Sequence, residues 1–368
     1  MKDLLAWDQT LFKDSELFEL DHIPENFLHR DVQLQSLMYG VRPALSGARP
    51  LNSLCIGSPG TGKTTAVVKV FEEIEKHTPK VVPVLVNCQV NSTKYAVFSQ
   101  IFKKLIGYAP PTSGVSFKKV FSEVAKYLAE HEKVLVVALD DMNFLFYENE
   151  VNDVLYSLLR AHETHPGARV GVIAILSDTG VPHILDPKVE TVFLPEEVRF
   201  PQYTREEVMD ILSSRARLGF YPGVLDYSVL DRIAEHTFAL GDLRVGIDLL
   251  KRSGLNAERR ASRTISIEDI ESAYEKSRLV HLSYMMRSLK EDEKILLGMI
   301  SEMQQANSGE LYEKFHLQTS LGYTRFYELL NKLGALKLID ADFTGKGSRG
   351  RSRVVTLRYQ ADEVKARL

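Results

Sequence analysis

The chain is poor in the residues that staple small exported domains together. Among its 368 residues there are two cysteines, Cys55 and Cys88, and one tryptophan. Two thiols cannot build a disulfide framework, and neither spacing suggests metal ligation. Each lies at the end of an apolar run, so both are expected as small core residues. No apolar stretch approaches the roughly 18 residues that span a bilayer, so a membrane partner is not expected. The opening MKDLLAWDQTLFKDSE carries acids where a secretory leader needs a basic start and an apolar stretch, and a cytoplasmic location is expected. Internal repeats and low-complexity tracts are lacking too. Acid is missing from one place in particular: from 343 to 360 there are Lys346, Arg349, Arg351, Arg353 and Arg358 and no Asp or Glu. In a chain of formal net charge -3, one concentrated basic segment points to a local polyanion contact.

The remainder has the profile of a globular protein, with 44% hydrophobic and 26% charged residues. Its length calls for about two or three domains. LNSLCIG (51–57), KVVPVLVNC (80–88), KVLVVALD (133–140) and ARVGVIAIL (168–176) are short, continuous and β-branched, as buried parallel strands are. Helical patterns at 63–76, 94–106, 117–131 and 150–165 separate them, which implies an α/β domain with a parallel sheet and right-handed crossovers. Past 200 the pattern is helical at 204–218, 228–238, 242–255 and 266–277, with capping pairs such as Thr204 with Glu207. A third pattern follows: helices at 291–304, 309–315 and 320–333, a strand LKLID, a Gly/Arg tip and a strand RVVTLRY. Three helices followed by a β-hairpin are the winged form of helix-turn-helix. The expected domains are 1–198, 199–282 and 283–368.

G57-S-P-G-T-G62-K63-T64 matches GxxxxGK[ST] between a buried strand and a helix, the context a P-loop requires. Glycines let the backbone N–H groups of Ser58, Gly60, Thr61 and Gly62 curl around phosphates, with Pro59, which has no N–H, lining the same loop, and the helix N-terminus adds its dipole. Lys63 is expected at the terminal phosphates of ATP or ADP, and the Thr64 hydroxyl on Mg²⁺, with Thr65 next in the same turn. Asp140 ends an apolar strand, where a carboxylate can hold the Mg²⁺ through water. Asp141 stands where a longer water-activating carboxylate often sits.

Near the winged tail, Leu321, Phe326, Leu329, Leu330 and Leu333 fall at helical spacing and read as core. Tyr323, Thr324 and Arg325 can face a groove of duplex DNA. Lys346, Arg349, Arg351 and Arg353 stand on a glycine-flexible hairpin suited to phosphates or a narrow groove.

The order of these motifs, from DHIPENFLHRDVQLQSL (21–37) through the P-loop, LDD, FPQYTREEVMDILSSRA (200–216), GDLRVGIDLL (241–250) and GKGSRGRSRVV (345–355), resembles the archaeal origin-recognition initiators. These are AAA+ ATPases related to the eukaryotic origin recognition complex and its helicase-loading partner. The resemblance spans about residues 10–360. It implies an AAA+ core, a helical lid and a winged helix that grips origin duplex DNA, with the replicative helicase and sister initiators as partners and a nucleoid-associated location. It implies an adenine-binding lead-in at Ile23, Pro24, His29 and Arg30, with Tyr203 also at the nucleotide, and a sensor-two arginine at Arg244. It also places a DNA-contacting insertion at 91–124, with Lys118 and Lys119 near its tip. Three features depart from the pattern: Ser177 occupies the sensor-one position, 185–193 offers Lys188 and no arginine, and Asp141 is one methylene short. Slow ATP hydrolysis is therefore expected. A nucleotide-bound regulator, a clamp-loader-like motor and a modulatory initiator paralogue stay open as alternatives.

Overall fold

The computed structural model describes residues 10–111, 114–177, 185–287, 289–303, 305–343 and 353–368. They form two compact units, one from Ile23 to Gln202 and one that joins the first residues to Tyr203–Leu368.

The first unit runs α1 (Asp31–Leu45), β1 (Ser53–Gly57), α2 (Lys63–His77), β2 (Val81–Asn87), α3 (Lys94–Ile106), α4 (Phe117–Glu130), β3 (Val134–Asp140), α5 (Asn143–Tyr147), α6 (Val151–Leu159), α7 (Ala161–Thr164), β4 (Arg169–Ser177), α8 (Pro187–Phe193) and β5 (Glu196–Arg199). The strands form one parallel sheet in the order β2-β3-β4-β1-β5. Every residue of β3 is buried, as a central strand covered on both faces must be, and this explains its unbroken apolar run. Two apolar clusters fill the faces. Val70, Ile74, Val136 and Ile175 lie in one, and Phe98, Ile101, Leu135 and Val172 in the other.

The second unit runs α9 (Arg205–Gly219), α10 (Tyr227–Leu240), α11 (Leu243–Arg259), α12 (Ile267–Arg287), α13 (Glu291–Met303), β6 (Gln305–Asn307), α14 (Ser308–Thr319), α15 (Tyr323–Ala335), β7 (Ile339–Phe343), β8 (Arg353–Leu357) and α16 (Ala361–Lys365). α9 opens with a reciprocal capping box, Thr204 Oγ1 accepting from Glu207 N while Glu207 accepts from Thr204 N. The last part is the expected winged helix, extended by β6 into a three-stranded antiparallel sheet ordered β6-β8-β7.

Several elements differ from the sequence expectations, among them the short helices α5, α8 and α16, none of which the sequence pattern marks. β5, EEVR, has too little apolar character to read as a strand. As an edge strand on β1 it buries only Val198. α1 starts inside the 21–37 motif, where the sequence pattern marks no helix, and β6 is only three residues long. The expected helix at 150–165 is broken at Arg160 into α6 and α7. The domain expected at 1–198 also needs revising at its start. Residues 10–22 pack in the second unit: Lys13 N and Asp14 N donate to the Gly219 carbonyl, and Phe12, Phe18 and Phe220 form one ring cluster. Two phenylalanines need an apolar seat, and glycines at 219 and 254 leave room for their rings.

Candidate nucleotide and nucleic-acid sites

The P-loop joins β1 to α2, and its backbone needs glycine at three places. Gly60 and Gly62 have φ of 74° and 90°, in the left-handed region. At Gly57 a Cβ would collide with the Phe200 carbonyl oxygen, so only hydrogen fits there. Thr61 Oγ1 donates to the Ser58 carbonyl at 2.8 Å and closes the loop. Lys63, largely buried, turns its ammonium back to the loop, donating to the Gly57 and Ser58 carbonyls at 2.7 and 2.9 Å. Ser58, Pro59, Gly60 and, in the first turn of α2, Thr64 and Thr65 are half-buried along the mouth.

Arg30 contributes what the sequence did not reveal. It is buried at 2% exposure, and its Nε donates to the Thr61 carbonyl at 3.0 Å, its Nη2 to the Pro201 carbonyl at 2.7 Å and its Nη1 to the His29 carbonyl at 2.8 Å. One side chain thus ties the P-loop to the segment after β5. His29 has a φ of 59°, a turn conformation that aims the chain into α1. Ile23 and Pro24 are half-buried in the stretch leading to that turn.

Thr64 Oγ1 donates to the Asp140 carboxylate, 3.1 Å from each oxygen, so β3 and the P-loop bring together the two expected metal ligands. Burial, and then the neighbouring Asp141 charge, push the Asp140 carboxyl up to about 6 against an ordinary 3.8. The Thr64 hydroxyl, the Asp141 N–H and Lys63 pull the other way without cancelling it. A carboxylate desolvated to this degree is improved by a cation, and so the donor set fits Mg²⁺. Among the described residues no group of three or more His, Cys, Asp or Glu side chains could hold a metal, so such an ion would draw its other ligands from phosphates and water.

Asp141 has a φ of 51°, and the chain then returns to the sheet as Met142 N donates to the Ile175 carbonyl. Ser177 stands opposite Gly57 in the β1–β4 register, beside the root of the P-loop. Asn87 stands opposite Asp140 in the β2–β3 register, a position sequence reading passed over because asparagine at a strand end reads as a turn residue. Its Oδ1 accepts from Gln89 N and Val90 N. Cys55 and Cys88 are buried thiols, as expected, and burial pushes both up to about 12.

In the second unit, Arg244 opens α11 held by Asp242, with Nε–Oδ1 at 3.0 Å and Nη2–Oδ2 at 2.6 Å. Asp242 also caps the helix by accepting from Arg244 N. Tyr203 is buried among apolar side chains of that unit.

On the winged helix, α15 buries Phe326, Leu329, Leu330 and Leu333 and exposes Tyr323, Thr324, Tyr327 and Asn331. Arg325 is half-buried and paired with Glu328 at 3.1 Å, so it stands off the exposed stripe. Arg353 begins β8 opposite Phe343. Lys346, Arg349 and Arg351 lie outside the described residues. Lys118 and Lys119 are exposed in the first turn of α4, within the insertion between β2 and β3. Among the described residues no helix is long and apolar enough to cross a membrane.

Comparisons with known proteins agree with the order of the domains. Family models match in three consecutive pieces: an AAA domain over 48–184, a Cdc6 AAA+ ATPase-type lid domain over 209–275 and a CDC6 C-terminal winged helix domain over 286–367. ORC1-type DNA replication protein 2 of Methanosarcina acetivorans is 53% identical over 362 residues, covering 98% of this chain and 97% of its own. ORC1-type DNA replication protein 3 of Haloarcula marismortui is also 53% identical, covering 99% and 98%. Among solved structures, the Aeropyrum pernix ORC1 protein in complex with DNA has a TM-score of 0.69 at 28% identity, covering 98% of this chain and 97% of its own. The Aeropyrum pernix ORC2 protein in its ADPNP-ADP complexes has a TM-score of 0.73 at 25% identity, covering 96% of each. With an AAA+ nucleotide-binding core, a Cdc6-type lid and a winged helix in one order along its whole length, the chain belongs to the family of archaeal ORC1-type DNA replication proteins.

Proposed function

We infer that this protein is an ATP-dependent replication initiator, cytoplasmic and nucleoid-associated, that binds origin duplex DNA through its winged helix and the α3–α4 insertion. It helps recruit or load the replicative helicase, alone or with sister initiators. The observation that carries the reading is the P-loop joined to Asp140 through Thr64, on the same chain as a winged helix whose exposed stripe is polar and aromatic. ATP or ADP would lie along 58–65, with Lys63 and the α2 N-terminus on the phosphates and Thr64 and Asp140 holding Mg²⁺. The ion would neutralise charge on the phosphates. Arg30 fixes the Thr61 carbonyl and so the curvature of the cradle.

A second reading, a modulatory paralogue with little turnover, is favoured by the catalytic side. Asp141 carries a short carboxylate on a left-handed backbone, Ser177 replaces a longer polar group, and 185–193 contains no arginine.

Fluorescence anisotropy of candidate-origin and shuffled duplexes, with ATP, ADP or neither and at two salt concentrations, tests the first reading. Selective binding that depends on nucleotide supports it. Equal binding to both duplexes leaves a non-specific DNA-binding ATPase and sinks the origin assignment. Single-turnover hydrolysis separates the initiator from the modulator.

A further inference from the structure

The exposed face of α15 and the root of the hairpin are joined by one arginine. At 100° per residue, Tyr323, Thr324, Tyr327 and Asn331 fall within about 100° of arc, beside a separate arc that holds the buried Phe326, Leu329, Leu330 and Leu333. Arg353 lies across this stripe. Its Nη1 donates to Asn331 Oδ1 at 2.9 Å, its Nη2 donates to Tyr327 Oη at 2.6 Å, and its guanidinium carbon stands 4.7 Å from the Tyr327 ring centroid. Its backbone N–H faces the Ser308 hydroxyl at the start of α14, at 3.4 Å. The acceptors Asn331 and Tyr327 are neutral groups, so these two bonds set direction while adding no charge.

We propose that Tyr327 and Asn331 are positioning residues that hold the Arg353 guanidinium in the orientation in which it takes a backbone phosphate of duplex DNA. The proposal rests on the reading of the winged helix as a DNA-binding domain and adds how helix and wing act together. An arginine recruited from solvent loses much rotamer freedom on meeting a phosphate. Arg353 has given most of that up already, stacked on one α15 ring and forked between two α15 side chains. The exposed arc holds aromatic, hydroxyl and amide groups without a carboxylate, and the nearby Glu328 is engaged by Arg325, so the surface suits a polyanion. Arg353 also marks the point where β8 emerges from the basic tip, so its phosphate would flank the groove segment that α15 faces.

The test uses the full chain and a fluorescein-labelled candidate-origin duplex, with anisotropy titrations across a salt series. Arg353→Ala is expected to weaken binding about tenfold and to lower the log–log salt slope by about one. Tyr327→Phe and Asn331→Ala should each weaken binding roughly three- to tenfold with the slope unchanged, because they remove a hydrogen bond and no charge. In an Arg353→Ala background, Tyr327→Phe should cost nothing more. Full additivity would mean that Tyr327 meets DNA on its own account and overturns the proposal. So would wild-type affinity in Tyr327→Phe and Asn331→Ala, or in Arg353→Ala. A wild-type chain that binds no duplex overturns the DNA-binding reading itself, whereas a binding wild type with indifferent position 327 and 331 variants overturns this inference alone.

Discussion

Asp140 and Glu293 are both carboxylates almost wholly removed from water, and they are kept in opposite ways. Glu293, on α13, has its partner in place: Lys332 on α15 donates to both oxygens at 2.8 and 2.9 Å, with side-chain exposures of 3% and 0%. Its Oε2 also accepts from Lys290 N. Asp140 receives a neutral hydroxyl and a backbone amide, next to a second carboxylate, and is pushed up to about 6. One buried acid is complete within the fold, while the other is left costly by it. The difference separates an acid neutralised by a buried partner from an acid held among neutral donors and a like charge.

The same isosteric change should therefore act with opposite sign at the two positions. Glu293→Gln leaves Lys332 buried without its counter-charge and should destabilise the winged helix by about 3–5 kcal/mol. Faster hydrogen exchange along α15 would report it, with nucleotide affinity unchanged. Restored protection in a Glu293→Leu, Lys332→Met double variant would confirm that charge, and not shape, was lost. Lys63→Ala acts on the other acid's surroundings: nucleotide affinity should fall on the order of 100-fold by calorimetry, since a charge-assisted contact to phosphate goes. Retained affinity would overturn the P-loop assignment.

Asp140→Asn should raise the stability of the nucleotide-free core by up to about 3 kcal/mol near neutral pH. The sign follows from proton counting. Between its ordinary 3.8 and about 6 the folded protein holds a proton that the unfolded chain does not, so stability falls as pH rises through that window. The gain from Asn should be full above about pH 6 and should shrink toward pH 4. Slower exchange at β3 amides measures it, while Mg²⁺-dependent nucleotide affinity in the variant should drop and lose its pH dependence near 6. The smallest effect is expected from Arg30→Lys, which keeps a cation but cannot reach three carbonyls at once. Nucleotide affinity should weaken about three- to tenfold.

Motifs with a local mechanism were legible in the sequence. The P-loop needs glycines at fixed offsets, buried strands need unbroken β-branched runs, and the winged helix needs a 3.6-residue pattern followed by a two-strand alternation. Partners chosen across the fold were not legible. Arg30 sits in a polar stretch that reads as a ligand lead-in, and only the folded chain brings it to Thr61 and Pro201. Lys332 reads as an ordinary surface lysine on a helix until Glu293 is placed beside it. Tyr327 and Asn331 occupy the exposed arc of α15, but no local rule links them to an arginine more than twenty positions downstream. β5 failed for another reason: an edge strand with one buried side chain has almost no pattern to detect.

The docking of residues 10–22 against α9 and α11 sets an order of events during synthesis. Leu17 and Arg215, which donates to its carbonyl, are 198 positions apart. At ribosomal speeds of 5–20 residues per second, roughly 12–48 s pass between Phe12 and Gly254, which completes the seat. The whole parallel sheet is made within that interval and can close during it. Until Gly254 is made, the aromatic side chains of this N-terminal segment are without the apolar seat they have in the finished fold.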